Sequence, residues 1–158
     1  FADARVRAVI HEAKYRGNEH AFELLSAALT EYLCDADDVG FRKSYITLVP
    51  VSLGTERQKE RGFNQAEEVA KRVGEGLGMS VDAELLKRTR ETVSQVSLPR
   101  DARIENMRGA FVATRRADSV CTYIVIDDVI TTGATLQAAI DALKEAGAEH
   151  IIPLALAH

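Results

Sequence analysis

Hydrophobic positions along the chain switch between a three-to-four-residue spacing and short continuous runs. In 3–15, Val6, Val9, Ile10 and Ala13 recur every three or four residues. This predicts an amphipathic helix, broken at Gly17-Asn18. Phe22, Leu25, Leu29 and Leu33 mark a second helix, followed by a polar turn through 35–38 and Gly40. Residues 44–51, S-Y-I-T-L-V-P-V, predict a buried strand ending near Pro50. Ala66, Val69, Ala70, Val73 and Leu77 define a third helix, stopped by Gly76 and Gly78. The Arg-rich segment 87–108 is weakly periodic and predicts a long loop or loop-like hairpin, with a short strand at 110–113. Residues 120–129 are a nearly continuous apolar run, as in a strand covered on both sheet faces. Leu136, Ala139, Ile140 and Leu143 mark a fourth helix stopped at Gly147, and 150–157 reads as a last strand. This strand–helix–strand ending predicts a right-handed βαβ unit in a parallel sheet.

At 158 residues the chain fits one domain with its own core. The formal net charge of −4 excludes a whole-chain basic field, so direct nucleic-acid binding is not expected. There is no run of about 20 apolar residues to span a membrane. Cys34 and Cys121 lie far apart without metal-ligand spacing, which fits a reducing compartment. The chain opens on a charged, periodic segment rather than a signal peptide, so a cytoplasmic location is expected. It lacks an initiator methionine, so part of the native protein is expected upstream of Phe1. His11, His20, His150 and His158 show no ligand spacing, and none is expected to be catalytic. Phe63 and Phe111 are expected to anchor the core.

The candidate chemistry lies in Y-I-V-I-D-D-V-I-T-T-G-A-T, residues 123–135. A buried strand runs into Asp127-Asp128, then a turn of hydroxyl and glycine residues, then a helix. Open α/β sheets place ligands at such carboxyl ends. Residues 131–135 can present several N–H groups at a helix N-terminus, with Gly133 allowing close approach, which suits a phosphate monoester. No Gly-Lys-Ser/Thr follows, so this is not a Walker loop. Paired carboxylates beside a phosphate nest suit a neutral diol or a shared Mg²⁺. The combination describes a holder for ribose 5-phosphate. The alternative is a solvated acidic strand end followed by a threonine-rich helix cap.

Ile124–Thr135 resembles the phosphoribosyl-pyrophosphate (PRPP) motif of type I phosphoribosyltransferases. K-Y-R-G at 14–17, V-P-V-S at 49–52, R-Q-K-E-R-G-F-N-Q at 57–65, R-T-R-E-T-x-x-Q-x-x-L-x-R at 88–100 and N-x-x-G-A-F at 106–111 are together similar to the ComF-like family, named for DNA-uptake competence. The resemblance runs over nearly the whole chain. It implies an α/β, type I phosphoribosyltransferase-like fold: a mainly parallel β-sheet flanked by helices, with a small or absent hood. Residues 1–158 would form a single such domain, with 1–35 a helical segment packed on it. Family members often carry a cysteine-rich zinc ribbon ahead of this domain. This chain has no such cysteines, so it is expected to be trimmed or to belong to a ribbon-less branch.

Carried over by residue, the resemblance implies that Asp127 and Asp128 hold the ribose hydroxyls and share a Mg²⁺ through the ribose or a water. Thr131, Thr132, Gly133, Ala134 and Thr135 would cradle the 5′-phosphate. Ser52, in the turn 51–53, occupies the place of the pyrophosphate loop, with neither the extra glycines nor the charge usual there. Arg57, Arg61, Arg88 and Arg100 would neutralise pyrophosphate, with Lys59, Arg90 and Arg103 nearby. The alternative is a solvated, salt-bridged surface, because Glu56, Glu60, Glu91 and Asp101 are interleaved. Asn64 and Gln95 sit inside family strings, and Asn64 also suits a helix N-cap. The implied activity is transfer of phosphoribosyl from PRPP to a nitrogen acceptor. The alternative function is a non-catalytic PRPP- or nucleotide-binding module acting in DNA uptake through a competence-machinery partner. A homodimer is expected from the resemblance alone.

Overall fold

A computed structural model describes residues 4–35, 45–89, 100–130 and 132–157. Its centre is the apolar run expected at 120–129, which forms strand β5 (Thr122–Val129). Strand β1 (Ile46–Pro50) pairs parallel to it with Leu48 opposite Ile124 and Val49 opposite Val125. Strand β6 (His150–Ala157) pairs parallel on the other side, with Ile124 opposite Ile152. The two-residue strand β2 (Ser80–Val81) completes a four-stranded parallel sheet in the order β2-β1-β5-β6. This is the α/β class that the resemblance implies.

Side chains of a strand alternate between faces, so β5 divides its apolar residues between two layers. Tyr123 and Val125, with Val49 of β1, pack on one face against Leu136, Ala139 and Leu143 of helix α6 (Ala134–Glu145). Ile124 and Ile126, with Ile46 and Leu48 of β1, pack on the other. There they meet helix α2 (Glu19–Asp35) through Phe22 and Leu29, and helix α4 (Gln65–Leu77) through Val69, Ala70 and Val73. Helix α1 (Ala4–Arg16) joins this second layer through Ala13. No helix among the described residues is long and apolar enough to cross a membrane.

Three expectations are corrected. Helix α3 (Thr55–Arg61), T-E-R-Q-K-E-R, was not foreseen because it buries no residue and therefore carries no apolar period. Where 87–108 is described, it is mostly regular structure rather than loop. Its start falls in β3 (Leu86–Arg88), which pairs antiparallel with β4 (Phe111–Ala113), and its end forms helix α5 (Arg100–Met107). Met107 is buried completely, and one such anchor gives a pattern too weak to read. Residues 36–40, beyond the end of α2 at Asp35, and 90–99, with Gln95 and Arg90, lie outside the described residues.

Gly76 does not stop α4; it lies inside the helix, and the stop is Gly78, in the left-handed region at φ 66°. Gly74 has a different reason to be glycine. A Cβ there would lie 2.5 Å from Val81 Cγ2 and 3.0 Å from the Met79 carbonyl oxygen, whereas one at Gly76 would meet nothing within 4 Å. The two positions therefore respond oppositely to alanine. Gly76→Ala should stabilise by about 0.5–1 kcal/mol through helix propensity. Gly74→Ala should destabilise by about 1–3 kcal/mol through overpacking. Urea denaturation of both variants checks the pair of signs.

Candidate functional site

The end of β5 inherits the strand's alternation. Asp127 continues the α6 face and Asp128 the face that carries α1 and α4. Each carboxylate is first fixed locally. Asp127 Oδ1 accepts the Asp128 N–H at 2.8 Å, and Asp128 Oδ1 accepts the Val129 N–H at 2.7 Å. Asp128 Oδ2 then receives two donors from other elements. Lys14 Nζ of α1 lies at 2.8 Å, and Gln65 Nε2, at the start of α4, at 2.5 Å. Arg61 Nη1, at the end of α3, donates to Gln65 Oε1 at 3.1 Å.

Asn64 joins this arrangement to the loop after β1. Its Oδ1 accepts the Ala66 N–H at 3.1 Å and caps α4, while its Nδ2 donates to the Val51 carbonyl at 3.0 Å. The Val51 N–H in turn donates to the Ile126 carbonyl at 2.8 Å. The loop is thus pinned to both β5 and α4. Beside it, Ser52 Oγ is buried without a hydrogen-bond partner among the described residues. The opposite wall is the start of α6, where Gly133 holds φ 76° as the residue before the helix. Thr132 Oγ1 accepts the Ala134 N–H at 3.4 Å.

These groups line one cavity of about 670 Å³, inside the range of small-molecule sites. Of the residues singled out from sequence, Asp127, Asp128, Ser52, Arg57, Arg61, Arg88, Thr132, Gly133, Ala134 and Thr135 line it. Thr131 and the Arg100 side chain lie outside the described residues. Sequence reasoning gave no role to Lys14, Gln65, Arg7, His11 or Tyr15, which also line it. Lys14 and Gln65 were nonetheless inside the quoted strings K-Y-R-G and R-G-F-N-Q. A second cavity of about 490 Å³, between α2 and β6, is lined largely by apolar side chains and by none of the singled-out residues.

Residues 59–158 match the family model described as phosphoribosyl transferase domain. The chain belongs to the phosphoribosyltransferase family. DNA utilization protein YhgH of Salmonella typhimurium is 30% identical over 129 residues, 81% of this chain and 56% of that protein. Competence protein F of Haemophilus influenzae is 31% identical over 106 residues, 66% of this chain and 46% of that protein. These relatives bear out the ComF-like resemblance. The chain spans about half the length of the curated relatives it matches. A purine phosphoribosyltransferase from Pyrococcus horikoshii aligns at TM-score 0.49 and 16% identity, over 87% of this chain and 72% of that one.

No group of three or more His, Cys, Asp or Glu suited to a metal ion exists among the described residues. Asp127 and Asp128 therefore offer a cation two carboxylates and no closed cage among the described residues. That fits Mg²⁺, which is usually held by one or two carboxylates together with substrate phosphates and waters.

Burial and the neighbouring charge of Asp128 push Asp127 up from 3.8 to about 7, with Lys14 opposing. An acid raised in the folded state adds stability below its unfolded pKa. That contribution is lost as pH rises through the interval up to the folded pKa. Asp127→Asn keeps the local acceptor and removes the titration. Its Tm should exceed that of the parent at about pH 8, and the gap should close towards about pH 4. Calorimetric melting at both pH values checks this; a gap independent of pH would contradict it. Asn64→Ala removes both the α4 cap and the Val51 tether, and should cost about 1–2 kcal/mol in urea unfolding.

Proposed function

We propose that this phosphoribosyltransferase-family chain binds Mg–PRPP and transfers its phosphoribosyl group to a nitrogen acceptor, releasing pyrophosphate. One observation carries the reading. The acid pair of β5, the N-terminus of α6 and the loop bearing Ser52, whose buried Oγ has no partner among the described residues, open into the same cavity. Their chemistries suit the diol, the phosphate monoester and the pyrophosphate of a single ligand.

In this reading the acceptor nitrogen attacks ribose C1 as the bond from C1 to the pyrophosphate oxygen breaks. Pyrophosphate leaves with the bonding electrons, and the acceptor nitrogen releases a proton to solvent. Positive charge builds on the ring beside Asp127 and Asp128, which also accept from the ribose hydroxyls. Negative charge builds on the leaving group, where Ser52 donates a hydrogen bond and Arg57, Arg61 and Arg88 supply positive charge. Asp127 and Asp128 would hold a Mg²⁺ indirectly, and its charge would offset that of the pyrophosphate.

A second reading is favoured by the relatives' names and by the loop at 51–53, which has neither glycine nor charge. There the same pocket binds PRPP or a nucleotide without turnover and acts in DNA uptake through a partner protein. Pyrophosphate release from PRPP, measured across purine and pyrimidine bases, ammonia and glutamine, separates the two. Turnover with any acceptor displaces the binding-module reading. Both readings require the acid pair. Asp127→Asn combined with Asp128→Asn should abolish the calorimetric signal of Mg–PRPP binding while the far-ultraviolet circular dichroism stays that of the parent. Unchanged affinity would refute the site.

A further inference from the structure

Three of the cavity's cationic side chains, Arg7, Lys14 and Arg57, precede residue 59, where the family match begins. Lys14 reaches furthest in. It is 23% exposed, and it lies 2.8 Å from Asp128 Oδ2. We infer that Lys14 is a positioning residue of the ligand site, setting the one remaining acceptor site of Asp128 for a ribose hydroxyl. The inference rests on the reading of the acid pair as a ribose holder.

An ionised carboxylate offers about four lone-pair sites. The Val129 N–H takes one on Oδ1, and Lys14 and Gln65 take both on Oδ2. What remains is a single acceptor site, on Oδ1. Donors at both oxygens also fix the rotation of the carboxylate plane, so that site has one direction. Without Lys14, Oδ2 keeps only Gln65 and regains an open acceptor site, so the carboxylate no longer presents a single site in one direction.

The placement of Lys14 is itself built. K-Y-R-G of α1 seats against R-G-F-N-Q at several points besides the carboxylate. The Arg61 guanidinium lies 5.4 Å from the Tyr15 ring centroid. Gly17, at φ 57°, brings its backbone so close to the Phe63 ring that a Cβ would lie 3.0 Å from it. Phe63 meets Phe22 of α2 edge-on, with ring centroids 5.7 Å apart. The two strings are thus one docking between the N-terminal helices and the start of α4, and each sends one side chain to the acid pair, Lys14 from the first and Gln65 from the second.

The test measures binding of ribose 5-phosphate and of 2-deoxyribose 5-phosphate, each with Mg²⁺, by calorimetry. The parent should prefer the ribose form. Lys14→Met should weaken ribose 5-phosphate by about tenfold or more, while binding of the deoxy sugar changes little. Lys14→Arg should recover part of the preference. If Lys14→Met does not fold, Lys14→Gln removes the charge with an amide donor kept, and the same ratio is read. Equal weakening of both sugars would make Lys14 a purely structural counter-ion and overturn the inference. Tighter binding after loss of Lys14 would overturn it by showing competition with the ligand. Equal affinity of the parent for the two sugars would also overturn it, leaving phosphate binding intact. No binding of either sugar or of PRPP to the parent would instead defeat the ribose-holder reading itself.

Discussion

Asp128 is where the parts of the cavity are tied together. Its carboxylate closes the end of the central strand on itself, holds Lys14 of the first helix and receives Gln65 at the start of α4. Removing two adjacent carboxylates partly from water is unfavourable unless donors replace the lost hydration. Hydrogen bonds to charged groups are worth about 1.5–3 kcal/mol each, and Asp128 has three donors. Asp127, on the other face, has one local donor and no ion-pair partner among the described residues. With burial and the neighbouring Asp128 charge so little offset, its carboxyl is pushed up to about 7. The strand thus ends in one tightly paired carboxylate and one poorly solvated one.

That asymmetry follows from sheet geometry. Adjacent residues on a strand face opposite ways. An acid pair therefore cannot share one set of partners; it must address the two helical layers separately. Asp127 turns to the side of α6 and Asp128 to the side of α1 and α4. Any ligand that engages both carboxylates bridges the two layers at the carboxyl end of the sheet.

Much of this could be read from the chain before any coordinates. The apolar run before Asp127, the amphipathic stripes of α4 and α6 and the turn around Gly133 each carry a local signal, and each is where the pattern put it. The missing parts had no such signal. α3 buries none of its side chains, so nothing in T-E-R-Q-K-E-R distinguishes a helix from a solvated loop. The partners of Asp128 were invisible for another reason. Lys14 is 114 positions away from it in sequence, and Gln65 looks like an ordinary first residue of a helix. Both were inside conspicuous strings, but only tertiary packing says that two strings meet each other and a third. Asn64 shows the intermediate case. The cap was legible from its place before an apolar stripe, whereas the bond to the Val51 carbonyl was not.

The same division of labour governs charge. The whole chain is acidic, at −4, yet among the described residues the cavity is lined by five cationic side chains, Arg7, Lys14, Arg57, Arg61 and Arg88, against the three acids Glu60, Asp127 and Asp128. Over distances beyond about 10 Å, salt screens the rest of the surface, so a small anion in the cavity experiences the lining rather than the net charge. Three of those five cations come from before residue 59, while both central acids and the α6 turn come from after it. The segment that matches the family therefore carries the acid pair and the turn. Among the described residues, the positive wall is completed from before it by Arg7 and Lys14 of α1 and by Arg57 of α3, with α1 tied to the acid pair through Lys14.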